Sequence, residues 1–179
     1  MRRRRAIIGA LGLALVASGC ASIVPPEVPR CDPDLRSDAV LIEAQSVPLA
    51  AMVPCVSVLP VGWSFQSFQV DDRGTTFYLD SDRAGFHAVR VDLMGSCDTG
   101  SATQVPTDTP GTDQFERIDS IGDTYGGVRY YVFEGGCVTY RFEFEGTGRT
   151  ELAREVSLAI DFVPRSAIDK VLAEEGLDS

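Results

Sequence analysis

Cys137-Val138-Thr139-Tyr140-Arg141-Phe142-Glu143-Phe144-Glu145 decides the fold class of this 179-residue chain. Tyr140, Phe142 and Phe144 alternate with Arg141, Glu143 and Glu145. A strand sends successive side chains to opposite faces. This stretch therefore sets one face on a core and the other in water, as antiparallel sheets do; parallel strands are apolar on both faces.

The neighbouring segments repeat that pattern. Glu134-Gly135-Gly136 reads as a turn back to a strand over Val128 to Phe133, with another turn at Gly126-Gly127 before it. Further upstream, Trp63 and Phe65, then Phe68 and Val70, mark a strand with a bulge at Gln66-Ser67. Asp71-Asp72-Arg73-Gly74 turns into Thr75 to Leu79. Asp80 to Gly85 turns again into Phe86 to Met94, where His87, Val89, Val91 and Leu93 share one face and Arg90 and Asp92 the other. A Gly-, Ser-, Thr-, Pro- and Asp-rich loop fills Gly95 to Asp113, followed by a short apolar stretch near Phe115 to Ile121.

Helical spacing flanks these strands. Asp32-Pro33 opens a helix over Leu35 to Ser46 with Leu35, Ala39, Ile42 and Ser46 on one side, and Pro48, Pro54 and Pro60 break the next segment into short turns. From Thr150, Leu152, Val156, Ala159, Ile160 and Val163 recur at helical spacing until Pro164, and Ser166 to Glu175 forms a last helix. The expected architecture is α+β: an antiparallel sheet with an N-terminal helix and two C-terminal helices packed on it.

The N-terminus supplies an address. Arg2 to Arg5 precede an apolar run from Ala6 to Ala17 and then Ser18-Gly19-Cys20. As a helix the run covers about 18 Å at ~1.5 Å per residue, short of a ~30 Å hydrocarbon core, so it reads as an export signal and not a membrane span. Ala17-Ser18-Gly19-Cys20 resembles the lipobox of bacterial lipoproteins. The resemblance implies that Cys20 receives a diacylglyceryl group and becomes the mature N-terminus, on the outer face of the cell membrane. An ordinary secretory signal would be cleaved similarly, and Arg4-Arg5-Ala6-Ile7-Ile8 also resembles a twin-arginine signal, which leaves the export route open. The resulting organisation is a signal over 1–19, a lipidated proline-rich tether over 20–30, and one domain over 31–179.

Cysteine arithmetic agrees with that address. Five cysteines are present. With Cys20 lipidated, Cys31, Cys55, Cys97 and Cys137 form an even set with three possible pairings. The sequential pairing, Cys31 to Cys55 and Cys97 to Cys137, is favoured because each bridge then closes an irregular stretch. Cleavage at Cys20 removes four arginines and no acid, taking the formal charge from −10 to −14. Such a surface disfavours nucleic acid and anionic headgroups, so the acyl chains hold the protein at the membrane. Fifteen of the sixteen basic residues are arginine. That skew, with the signal, resembles an actinobacterial envelope lipoprotein. The Pro60-Val61-Gly62-Trp63 entry, consecutive hairpins and closing helix are loosely similar to the Mog1/PsbP-like sandwich of some mycobacterial lipoproteins.

Catalytic patterns lack members. His87 is the one histidine and no Gly-x-Ser-x-Gly elbow accompanies it. The cysteine spacing offers no zinc or Cys-x-x-Cys site. Asp80-Ser81-Asp82-Arg83-Ala84-Gly85 begins like a calcium loop but has Ala84 and Val91 where oxygen ligands belong. Glu143 and Glu145, like Asp71 and Asp72, read as solvated pairs. No catalytic residue, metal or cofactor is therefore expected. Trp63, Tyr130 and Tyr131 are the residues that could line a ligand cleft. The expected function is a non-enzymatic binding or accessory module at the envelope, acting on a protein partner or envelope ligand. The alternatives are a carboxylate-based extracytoplasmic hydrolase and a small-molecule or lipid carrier.

Overall fold

The computed structural model describes residues 27–32, 37–107, 109–145, 149–174 and 176. The signal, Cys20, most of the tether and residues 33–36 at the opening of the first expected helix lie outside them. Among the described residues the fold is α+β, with three helices and a mostly antiparallel sheet system.

The main sheet contains β2 (Trp63–Asp71), β3 (Gly74–Ser81), β4 (Gly85–Met94), β5 (Thr103–Val105), β6 (Asp113–Ile121), β7 (Thr124–Phe133) and β8 (Gly136–Glu145), in the order β2-β3-β4-β8-β7-β6-β5. The alternating stretch from Cys137 to Glu145 lies in the central strand, β8. It sends Val138, Tyr140, Phe142 and Phe144 into the core beside Phe77, Leu79, Val89, Val91 and Leu93. The expected bulge falls between Phe65 and Ser67. On the opposite face, Asp92 is buried yet satisfied. It accepts from Thr76 Oγ1 at 2.6 Å, Arg90 Nε at 2.8 Å and Thr139 Oγ1 at 3.2 Å.

A second, two-stranded sheet pairs β1 (Met52–Val56) with β9 (Ile160–Pro164). This corrects two expectations. The proline-broken segment is a strand, because a two-stranded ribbon has free edges on which Pro54 needs no N–H partner. The helix expected to run to Val163 is α2 (Arg149–Ser157), which ends before Ile160 and Val163 turn inward as strand residues. Their spacing of three is the helical one, whereas on a strand it places them on opposite faces, and both are buried here.

Other corrections are local. Gly126 and Gly127 lie inside β7, where a Cβ on Gly127 would come within 2.9 Å of the Arg117 carbonyl on β6. They permit close strand approach, and the turn lies before Thr124. Part of the Gly95–Asp113 loop pairs as β5 with β6. His87 departs from the face it was expected to share with Val89. Asp80 alone faces the Phe86–Ala88 stretch, and His87 takes φ 51°, donating its N–H to Asp80 Oδ1 at 2.7 Å. The bulge rotates the imidazole onto Tyr78 (4.3 Å) and Phe86 (3.8 Å), on the Arg90 side of the sheet.

Helix α1 (Asp38–Ser46) buries Ala39, Val40, Glu43 and Ala44, whereas Ile42 is 46% exposed. The inward face is therefore rotated from the expected one. Two contacts hold that rotation: Ser46 Oγ lies 2.5 Å from Thr75 Oγ1, and Arg165 donates to the carbonyls of Ala44 and Val47, at 2.5 and 2.7 Å. Arg165 opens α3 (Arg165–Glu174), so it ties the two helices together.

Both disulfides take the sequential pairing. Cys31 and Cys55 have Cα atoms 5.0 Å apart, and Cys97 and Cys137 have theirs 6.0 Å apart, inside the span such bridges need. The first fastens the N-terminal segment to β1, where the Val56 N–H already donates to the Pro29 carbonyl at 2.6 Å. The second pins the β4–β5 connection to β8.

Candidate functional site

Tyr130 and Tyr131 are neighbours on β7 and so point to opposite faces. Tyr130 stands opposite Thr139 and lies 3.5 Å from Arg117 Nη1 on the face away from the helices. Tyr131 turns to the helix side, with its ring 5.1 Å from both Tyr140 and Phe162. Trp63 begins β2, packs edge-on against Phe144 at 6.1 Å, and borders an open depression with Asp80, Asp82 and Phe86. The three aromatic residues singled out in the sequence are thus not brought together, and each has different surroundings.

Tyr131 does line a cleft. It is a hollow of ≈ 460 Å³ between the inner face of β6 and β7 and the segment from the end of α2 into β9. Gln114, Arg129 and Tyr131 form its sheet wall, and Arg154, Leu158, Asp161 and Phe162 its other wall. The volume falls in the range of about 300–1,000 Å³ common for small-molecule sites.

The polar wall is a consequence of strand parity. Core-facing positions on β7 are Tyr131, Arg129 and Gly127, cross-strand from Gln114, Glu116 and Ile118 on β6. Of these inward positions, Gln114, Glu116 and Arg129 carry polar groups that meet across the two strands. Arg129 Nε donates to Glu116 Oε1 at 2.6 Å, and Gln114 Nε2 donates to the same oxygen at 3.1 Å. Burial opposes the charge on Arg129, but the Tyr131 hydroxyl and the Glu116 carboxylate outweigh it and hold the guanidinium proton more tightly than usual. The Arg129 guanidinium also lies 5.9 Å from the Phe142 ring centre, a cation–π contact. Arg129 is therefore a fixed cation with its counter-ion on the neighbouring strand.

The opposite wall differs. Arg154 is exposed and forms no ion pair or side-chain hydrogen bond among the described residues. Phe162 and Tyr131 make an aromatic floor that continues to Phe133, whose ring lies 6.3 Å from Phe162. The cleft thus combines an aromatic floor with a rigid guanidinium, an unengaged one, an amide and a carboxylate.

Nucleophile and base are not joined in this cleft. The histidine lies on the other face of the sheet. Among the described residues, the carboxyl that burial pushes well above its usual range, Glu43, is sealed in the core away from the cleft lining. Asp80, from the calcium-like loop, instead caps the His87 N–H, and Ser81 Oγ accepts from the Arg83 N–H at 3.2 Å, as in a hairpin turn. No group of three His, Cys, Asp or Glu side chains among the described residues is placed to hold a metal ion.

Sequence reading named Tyr131 and missed Gln114, Arg129, Arg154, Asp161 and Phe162. One signal was present: counting by twos from Phe133 through Tyr131 puts Arg129 at an inward position, where a charge demands a reason. Phe162 and Asp161 carried none, because they were read as helix. The chain matches no family model, no curated protein and no solved structure.

Proposed function

We propose that this chain is a lipid-anchored module of the cell envelope that acts by binding a ligand in the cleft between β6–β7 and β9. The observation that carries the binding reading is the Gln114–Glu116–Arg129 cluster beside Tyr131 and Phe162. It is an immobilised polar wall over an aromatic floor, at a place where a purely structural sheet would be apolar. Convergent fixed polar groups in an otherwise aromatic hollow orient a ligand at little cost in side-chain ordering. The polar wall also argues against an acyl-chain carrier. The want of a nucleophile–base pair in the cleft favours binding over hydrolysis.

The anchor rests on the Arg2–Arg5, apolar run and Ala17-Ser18-Gly19-Cys20 sequence. The paired state of Cys31, Cys55, Cys97 and Cys137 accords with an oxidising compartment. Metabolic labelling with a palmitate analogue tests it. Wild-type protein should carry label and partition with membranes, while Cys20→Ser should lose the label and leave the folded domain intact. An unlabelled wild-type protein would sink the anchor. For the cleft, amide chemical shifts recorded while titrating envelope saccharides and small metabolites should move at Tyr131, Arg154 and Phe162. Shifts confined to the opposite face would sink the cleft as the site.

A further inference from the structure

We propose that the ligand of this cleft is an acidic saccharide, whose carboxylate is held between Arg129 and Arg154 and whose ring lies against Tyr131 and Phe162; this rests on the reading of the cleft as a binding site.

Three observations lead to that ligand. First, the cleft brings two arginines to one hollow in a chain whose formal charge is −10. Arg129 and Arg154 both line it; Arg129 is paired with Glu116 on β6, and the acid in the lining itself, Asp161, is exposed and already accepts the Phe162 N–H at 2.8 Å. Secondly, the two arginines are prepared differently. Arg129 is only 21% exposed at its side chain and is oriented by Glu116. That carboxylate engages Nε and the Tyr131 hydroxyl also hydrogen-bonds the guanidinium, whose five N–H donors outnumber these two acceptors. Arg154 stands on the other wall with no ionic partner among the described residues. A carboxylate accepts from two guanidinium groups at once, because each of its oxygens has two acceptor sites. A bound carboxylate would therefore give Arg154 the partner it lacks and complete Arg129.

Thirdly, the remainder of the lining suits a hydroxylated ring. Tyr131 and Phe162, packed with ring centres 5.1 Å apart, line the hollow with apolar ring surface. Gln114, Thr109, Ser157 and Asp161 border the same hollow with both donors and acceptors. A simple inorganic anion would use the arginines and leave these groups idle. A flat aromatic acid would use the floor and leave the hydroxyl partners idle. A sugar ring bearing a carboxylate uses all of them.

Isothermal titration of the full-length protein in detergent tests this, using a glucuronate-containing oligosaccharide, its neutral glucose counterpart and sodium acetate as separate probes. The acidic oligosaccharide should bind at least about tenfold more tightly than the neutral one, and that preference should weaken as salt is raised, since the pair at Arg154 is solvent-accessible. Arg154→Gln, at an exposed position that leaves packing untouched, should remove most of the preference, and Arg154→Lys should restore part of it. Acetate should bind far more weakly than the oligosaccharide. Equal affinity for acidic and neutral oligosaccharides, or a preference unchanged in Arg154→Gln, overturns the acidic ligand while leaving a saccharide cleft. Acetate binding as tightly as the oligosaccharide overturns the saccharide part. If no probe binds and the Tyr131 and Phe162 resonances also stay unmoved by every other ligand tried, the cleft reading itself fails.

Discussion

Glu43 on α1 and Tyr140 on β8 share one interior, both wholly excluded from solvent, and neither the carboxyl nor the phenol has a hydrogen-bond partner among the described residues. Burial pushes both groups well above their usual pKa ranges, and the Glu43 charge adds to the rise at Tyr140. A buried polar group without a partner costs about 1–3 kcal/mol. The Glu43–Tyr140 region is therefore where the core is least well matched to its own sequence.

Replacing the carboxyl with an apolar group of similar length should stabilise the fold. Glu43→Met is expected to raise unfolding free energy by about 1–3 kcal/mol at neutral pH, measured by urea denaturation. Tyr140→Phe should be neutral or mildly stabilising. A loss of stability in Glu43→Met would mean that the carboxyl has a partner.

The same carboxyl sets a pH dependence. Its folded-state pKa lies above the unfolded value, so the folded protein keeps a proton that the unfolded chain releases. Stability from this group is complete below the unfolded value of about 4.3 and is lost as pH rises towards the folded one, at up to about 1.4 kcal/mol per unit. Urea midpoints from pH 5 upward should fall in the wild type more steeply than in Glu43→Met. Parallel slopes would remove Glu43 as the cause.

Arg165 holds three carbonyls, those of Ala44, Val47 and Ala50, at 2.5, 2.7 and 3.2 Å. These include the C-terminal end of α1, where a cation is also favoured by the helix dipole. Arg165→Met should cost about 2–4 kcal/mol, and hydrogen exchange should rise first in α1. Arg165→Lys should recover only part, because an ammonium lacks the planar fork.

The two disulfides should differ in what they protect. In the chain-entropy account, loops of 24 and 40 residues correspond to about 3.5 and 4 kcal/mol. Cys97→Ser with Cys137→Ser should lower the melting temperature and expose the β4–β5 connection to proteases. The Cys31 and Cys55 pair of serines should instead loosen the segment along β1. Proteolytic mapping separates the two outcomes.

The sheet was legible because its information is local. The alternation of Tyr140, Phe142 and Phe144 with Arg141, Glu143 and Glu145, the bulge near Gln66 and the Asp71–Gly74 turn follow from a period of two and from turn chemistry. Neither depends on what lies across the core. Counting cysteines likewise left an even set once Cys20 was set aside.

What the sequence left open was decided by long-range contact. The β1–β9 ribbon joins residues more than a hundred positions apart, so Pro54 masked one strand and the spacing of Ile160 and Val163 mimicked a helix in the other. The inward face of α1 was set by Ser46 on Thr75 and by Arg165, which put Glu43 inside and Ile42 outside against hydrophobicity. The cleft has the same origin. Arg129 declares only that an inward charge needs a partner; the pairing of β6 with β7 supplies Glu116, and the placement of β9 brings Phe162 to Tyr131. Period and turn residues specify an element, whereas the partner that each face meets exists only after the chain has closed.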